Sequence, residues 1–180
     1  MSNRRLLRDN LIRAWHATIT RAYAGQFINS ERGLQVHFCI ELLKEFRRRR
    51  VSRRLFIEPT LQFVDKVMRT PDLLICNTKQ IIGVVEFKYC PRARPKTGKD
   101  LKTLARIRDT TGVISIQNER YLGEGKLRQY SVAEDAVFCW AGVYRSDEPI
   151  ALDLPGLLRL DALTACNAPP AVLPCPKSRK

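Results

Sequence analysis

The chain has 180 residues, of which 44% are hydrophobic, and its formal net charge is +14 at pH 7. This length and hydrophobic content predict one folded domain with a substantial core, and they exclude an intrinsically disordered chain. The excess positive charge favours a polyanionic partner. Nucleic acid is the first expectation, and an anionic membrane surface or an acidic protein are the competing partners.

The first two predicted elements are helices. Apolar residues recur at helical spacing over residues 4–23 and again over residues 30–48. In the second helix, Ser30 is placed to act as the N-cap, and Glu31 lies in the first turn. A projection at 100° per residue puts Glu31 and Gln35 at one end of an apolar stripe. The rest of that stripe is Leu34, Phe38, Leu42 and Phe46.

Six arginines lie at the end of the second helix and just after it, within the sequence RRRRVSRR, and we refer to them as the arginine cluster. They are Arg47, Arg48, Arg49, Arg50, Arg53 and Arg54. Blocks of like charge are often a solvated surface or a flexible link. Contact with nucleic-acid phosphates is the equally open alternative. Residues 55–67 then supply strand material, in which Pro59 indicates an edge position or a bulge.

The most informative stretch is TPDLLICNTKQIIGVVEFKY, residues 70–89. It is typical of a β-hairpin, with two apolar strands joined by the polar turn NTKQ. Because side chains alternate along a strand, Glu86 and Lys88 are predicted on one face, together with Ile82. Asp72 lies where the first strand begins. The sequence therefore predicts two carboxylates and one ammonium group near one end of the hairpin.

Two converging carboxylates suit a hard divalent cation such as Mg²⁺. A nearby lysine can hold or deprotonate a water, or stabilise negative charge on a phosphate. The elements Pro71-Asp72 and Glu86-Phe87-Lys88 resemble the signature of the PD-(D/E)XK phosphodiesterase superfamily, which has the restriction-endonuclease-like fold. The resemblance extends over about residues 30–144. The alternative is an ordinary hairpin in which Glu86 and Lys88 form a surface ion pair.

This resemblance implies a metal-dependent nuclease that uses Mg²⁺ or Mn²⁺. The metal ligands it implies are Asp72, Glu86, Glu31 and the Phe87 carbonyl. The catalytic residues it implies are Asp72, Glu86, Lys88, Glu31 and Gln35. In such proteins a helix before the hairpin often carries a glutamate that reaches the metal, which here would be Glu31 with Gln35 in support. The alternative for Glu31 is a simple interaction with the helix dipole.

The segment after Lys88, CPRARPKTGKD, predicts a mobile cationic loop that is able to cover a phosphate backbone. A helix is predicted over residues 100–109. Asp100 and Lys102 at its start are candidates for the site, although a solvated helix start is the simpler interpretation. The residues of this region predicted to contact nucleic acid are Arg92, Arg94, Lys96, Lys99 and Lys102.

Further strands are predicted over residues 113–117 and 136–144, with Trp140 in the core. Tyr121 and Tyr130 lie among basic residues and are candidates for base stacking, with a surface loop as the default. Residues 152–165 are expected to form a strand end and a short helix. The elements together predict an α/β fold, a restriction-endonuclease-like three-layer core whose central mixed sheet is flanked by helices. Residues 1–165 would form a single domain with an N-terminal helical extension, and residues 166–180 a flexible, basic, proline-rich tail.

Six cysteines without CxxC spacing predict reduced thiols and a cytoplasmic location. No apolar run reaches membrane-spanning length, so no membrane partner is expected. Two histidines argue against a histidine-based nuclease. The predicted function is thus hydrolysis of a nucleic-acid backbone, with DNA as the expected polymer and a homodimer possible because two copies can cut both strands. Two other functions stay open: a catalytically inactive nucleic-acid-binding module, and a protein-interaction or regulatory factor.

Overall fold

The computed structural model describes residues 3–116, 128–164 and 171–172. The helices in these ranges are α1 (Asn3–Ala17), which continues as a π-helical segment (Thr18–Tyr23), α2 (Glu31–Arg48) and α3 (Gly98–Arg108). The strands are β1 (Arg54–Ile57), β2 (Leu61–Gln62), β3 (Met68–Arg69), β4 (Leu73–Cys76), β5 (Gln80–Cys90), β6 (Val113–Ile116), β7 (Arg128–Tyr144), β8 (Leu158–Leu163) and β9 (Ala171–Val172).

All these strands belong to one mixed sheet that is built around β5 and β7. The order along the sheet is β1-β4-β5-β7-β6-β2-β3, while β8 pairs with β7 and β9 pairs with β8. Strand β4 runs antiparallel to β5, whereas β5 and β7 are parallel, as are β7 and β8. Parallel strands need a crossover connection, and the one between β5 and β7 contains α3.

The sheet separates two apolar clusters, so the domain has three layers. On one face α1 and α2 pack against a cluster that includes Val85 and Phe87. On the other face α3 packs against a cluster that includes Val84 and Trp140. The α/β class with a central mixed sheet flanked by helices is therefore confirmed. The more specific restriction-endonuclease-like core stays a prediction.

Helix α2 begins where its sequence predicts. Ser30 is the N-cap, and its side chain accepts a hydrogen bond of 3.1 Å from the backbone N–H of Gly33. The predicted apolar stripe is buried at Leu34, Phe38, Leu42 and Phe46, and Gln35 is buried with it. This cap and this stripe fix both the start of α2 and the face that it turns toward the sheet, and thereby the position of Glu31.

The β4–β5 hairpin contains a bulge that the alternation of side chains did not predict. Leu73 pairs with Val85, but the register shifts so that Cys76 pairs with Ile81. Ile82 is the extra residue and is only half-buried. Ile81, rather than Ile82, is therefore the fully buried neighbour of Val84 on its side of the sheet.

Three further predictions differ from the structure. Residues 158–163 form strand β8, and no helix occurs within residues 152–164. Tyr130 lies in β7 and is only 2% exposed, so base stacking by Tyr130 is wrong, while Tyr121 lies outside the described residues. Within the predicted tail, Ala171–Val172 pair with β8.

Trp140 is fully buried, as expected. None of the helices in the described ranges combines the length and the hydropathy that a membrane span requires.

Candidate active site

The carboxylates meet where β5 extends past the start of β4. Strand β4 begins opposite Val85, whereas β5 continues along β7 on its other edge. On the open edge, backbone N–H groups of β5 need acceptors from elsewhere. Asp72 Oδ2 accepts from the N–H of Phe87 at 2.6 Å, and Glu31 Oε2 accepts from the N–H of Tyr89 at 3.1 Å. Both carboxylates are thus fixed to alternate positions along the open edge.

Asp72 and Glu86 form a cross-strand pair. The register of β4 and β5 ends with Leu73 opposite Val85, and its continuation by one residue places Asp72 opposite Glu86, where opposite residues project from the same face. The two carboxyl groups interact strongly enough for each to affect the pKa of the other. Glu86 is 5% exposed. The backbone carbonyl of Asp72 accepts a 2.9 Å hydrogen bond from the N–H of Glu58, and this bond also fixes the position of Asp72.

This pair does not carry two negative charges at neutral pH in the absence of a cation. Burial raises the pKa of Glu86 to about 10, and the charge of Asp72 and a hydrogen bond with it contribute to the increase. Burial also raises the pKa of Asp72, although the hydrogen bond from the N–H of Phe87 opposes the rise. The two carboxyl groups therefore retain a proton that a bound cation would displace.

Lys88 projects into the same cluster. Its Nζ lies 3.6 Å from Glu31 Oε2 and 3.6 Å from Asp100 Oδ2. Burial lowers the pKa of Lys88, but the charges of Asp100 and Glu31 outweigh it, and the net shift is upward. The ammonium group thus stays protonated at neutral pH beside the carboxyl groups of Glu31 and Asp100, and the charge of Asp72 also raises its pKa.

Asp100 is the member of this cluster that the sequence indicates only as a secondary candidate. A solvated helix start was the expected environment, but the residue is 6% exposed. Asp100 Oδ2 accepts a 3.3 Å hydrogen bond from Trp140 Nε1. The sequence contains a signal for this position, since the buried residues of α3 are Asp100, Thr103, Leu104 and Ile107, which recur at helical spacing. Asp100 therefore begins the buried stripe of α3.

Gln35 lies one turn after Glu31 on the buried face of α2. It is 3% exposed, and its Oε1 accepts no hydrogen bond from any residue in the described ranges. Buried polar atoms without a partner are uncommon in folded proteins. Among the described residues, no contact between Gln35 and Asp72 or Glu86 is observed, so its supporting role stays a prediction.

The donor chemistry of the cluster fits Mg²⁺ or Mn²⁺, although the cluster is not a complete cage. Within residues 3–116, 128–164 and 171–172, no three side chains of His, Cys, Asp or Glu form a ready metal-binding group. Mg²⁺ commonly binds proteins through one or two carboxylates and keeps several waters. The Asp72–Glu86 pair meets that smaller requirement, and the surplus of carboxyl groups over Lys88 leaves negative charge for a divalent cation to offset.

The predicted phosphate contacts fall into two separate regions. Arg92, Arg94 and Lys96 lie exposed on the segment that follows β5, and Lys99 and Lys102 lie exposed on α3 beside Asp100. The arginine cluster is elsewhere. Arg47 and Arg48 are the last residues of α2 and lie about 24 Å along the helix from Glu31. Arg54, in β1, pairs with Cys76, which is at the opposite end of β4 from Asp72. The arginine cluster is therefore distant from the carboxylates.

Comparisons with protein-family models, with curated proteins and with solved structures gave no match to this chain. The resemblance to the PD-(D/E)XK superfamily is therefore carried by its short motif, and the family assignment stays a prediction.

Proposed function

We propose that this protein is a metal-dependent phosphodiesterase that hydrolyses the backbone of nucleic acid, with DNA as the expected polymer. The observation that carries the proposal is the cross-strand pair of Asp72 and Glu86, with the ammonium group of Lys88 held among the neighbouring carboxylates. A surface ion pair between Glu86 and Lys88, the structural alternative, fits poorly because Glu86 is buried and Lys88 pairs with Glu31 and Asp100 instead.

The proposed mechanism assigns a role to each group. Asp72 and Glu86 would hold the metal ion, joined by the Phe87 carbonyl and by Glu31. The ion would supply polarisation of the scissile phosphate and a lowered pKa for an attacking water. Glu86 would release its proton when the cation binds, because the positive charge would stabilise the carboxylate and offset the effects of burial and of Asp72 that raise its pKa.

Lys88 is better suited to stabilise charge than to remove a proton. A general base must be unprotonated before it acts, and the upward shift in the pKa of Lys88 keeps it protonated. Its ammonium group would therefore donate hydrogen bonds to the phosphate oxygens or orient the attacking water. Asp100 and Glu31 would position it through their two contacts of 3.6 Å.

The test is cleavage of plasmid and of single-stranded DNA with Mg²⁺ by the natural protein, Glu86→Gln and Lys88→Ala. Removal of one group that stabilises the transition state commonly costs about 100-fold to 1000-fold in rate. We expect losses of at least about 100-fold in both variants, and no cleavage by any of the proteins with excess chelator. Equal activity in the three proteins would rule the mechanism out.

A catalytically inactive nucleic-acid-binding module is the second candidate, favoured by the absence of a ready three-ligand metal group in the described ranges. It predicts binding that depends steeply on salt but not on Mg²⁺ or chelator. Metal-dependent loss of intact strands would exclude it.

A further inference from the structure

An open groove runs between α3 and the segment that contains β3. Its volume is about 700 Å³, and its lining residues are Thr60, Met68, Arg69, Thr70, Lys99, Lys102 and Thr103. Arg69, Lys99 and Lys102 are exposed. None of these three cations forms an ion pair with a carboxylate in the described part of the chain. The groove therefore has positive charge that is available to a ligand.

The groove lies next to the carboxylate cluster. Thr70 is two residues before Asp72, and Lys99 directly precedes Asp100. Thr103 lies one turn after Asp100 on the buried side of α3, where its hydroxyl donates to the carbonyl of Lys99 at 3.1 Å. One wall of the groove is thus continuous with α3, and the other with the residues that lead into β4.

The geometry points to this groove as the site that holds the phosphate backbone of a nucleic-acid strand beside the carboxylates. Arg69, Lys99 and Lys102 contact the phosphates, and the exposed side chain of Met68 offers an apolar surface to a sugar or a base. Lys99 and Lys102 lie three residues apart on α3, so they project from the same side of the helix. This assignment rests on the proposed function for the class of its ligand.

The same geometry argues against a contact by the arginine cluster at this position. The cluster lies at the far end of α2 and at the opposite end of β4 from Asp72. A strand whose phosphate sits at Asp72 and Glu86 would follow the nearby groove. The cations that decide affinity are therefore those of the groove, whereas the cluster contributes only to the general positive field.

The test compares two variants with the same loss of charge. The groove variant carries Arg69→Gln, Lys99→Gln and Lys102→Gln, and the cluster variant carries Arg47→Gln, Arg50→Gln and Arg53→Gln. Affinity for a labelled oligonucleotide, single-stranded and double-stranded, is measured by fluorescence anisotropy with excess EDTA over a range of salt concentrations. Circular dichroism and thermal unfolding confirm that both variants fold.

We expect the groove variant to lose at least about tenfold in affinity, and its log–log salt dependence to become shallower by roughly 2–3 because three phosphate contacts are removed. The cluster variant should stay within about threefold of the natural protein, since exposed charges far from a ligand are largely screened by salt. Equal losses in the two variants, or a larger loss in the cluster variant, would overturn the assignment. Competition by polyglutamate as strong as that by the unlabelled oligonucleotide would also overturn it, in favour of an acidic protein.

Because EDTA removes the metal ion, this measurement does not depend on cleavage. Selective loss of binding in the groove variant, without cleavage by the natural protein, would retain the groove and reject the nuclease. Cleavage by the natural protein, with full affinity in the groove variant, would reject the groove alone.

Discussion

At the scale of single residues, Glu86 is the group whose charge state depends most on the fold. Burial raises its pKa from the ordinary value of 4.5 to about 10. Between these values the folded protein retains a proton that the unfolded chain has released. The contribution of Glu86 to stability is therefore fully present below about pH 4.5 and is lost as the pH rises toward 10.

We predict that the free energy of unfolding of the metal-free protein decreases with rising pH between pH 5 and pH 9, by on the order of 1 kcal/mol per pH unit. Glu86→Gln, which is neutral at every pH, should have a much flatter dependence and exceed the natural protein in stability at pH 9. Urea unfolding in EDTA measures both. Glu134→Gln, which removes an exposed carboxyl group, is the matched control and should keep the natural slope. Parallel curves for the natural protein and Glu86→Gln would contradict the prediction.

At the scale of elements, the sequence was most informative about local structure. The N-cap at Ser30, the apolar stripe of α2 and the strands of the β4–β5 hairpin follow from spacing that acts over a few residues. Asp72 and Glu86 were predicted to converge because one hairpin carries both. The bulge at Ile82 was not predictable from alternation, since either strand of a hairpin can accommodate an extra residue.

Relations between distant segments were not predictable in the same way. The hydrogen bond between Asp100 and Trp140 depends on how α3 docks on β7, which helical spacing alone does not specify. The arginine cluster is near the hairpin in sequence but far from the carboxylates in space. The length of α2 and the antiparallel pairing of β1 with β4 carry it to the other end of the sheet.

The bond between Asp100 and Trp140 connects α3 to the central strand β7, and we predict its effect on stability. Asp100→Ala leaves the buried Trp140 N–H without an acceptor, which should reduce the free energy of unfolding by about 1–3 kcal/mol. Asp100→Asn keeps an oxygen acceptor and should cost clearly less. Urea unfolding at pH 7 measures the difference, and equal losses in the two variants would show that this hydrogen bond does not stabilise the fold.

The two variants also separate stability from activity. Both remove the carboxylate that lies 3.6 Å from Lys88 Nζ, so both should reduce the rate of cleavage even though Asp100→Asn folds well. A fully active Asp100→Asn would mean that Glu31 alone is sufficient to position Lys88.

At the scale of the whole molecule, the carboxylates and the densest positive charge of the protein lie toward opposite ends of the sheet. The cluster of Glu31, Asp72, Glu86 and Asp100 lies at one end of the β4–β5 hairpin, and the arginine cluster lies toward the other. The net charge of +14 therefore attracts a polyanion to the whole surface, whereas the groove beside α3 is the part of that surface that adjoins the proposed chemistry.

If the proposed cleavage takes place, the presence of one carboxylate cluster in each chain leads to a prediction about its product. Asp72, Glu86 and Lys88 occur once in each chain, so one protomer should cut one strand in each encounter. We predict that supercoiled plasmid is converted first to the open-circular form, and that linear DNA follows only after a lag. Gel electrophoresis of a time course at low protein concentration measures both products, with Lys88→Ala as the inactive control. Linear DNA that forms from the outset, with a yield that rises with the square of the protein concentration, would instead show that two protomers act together on opposite strands, as a homodimer would.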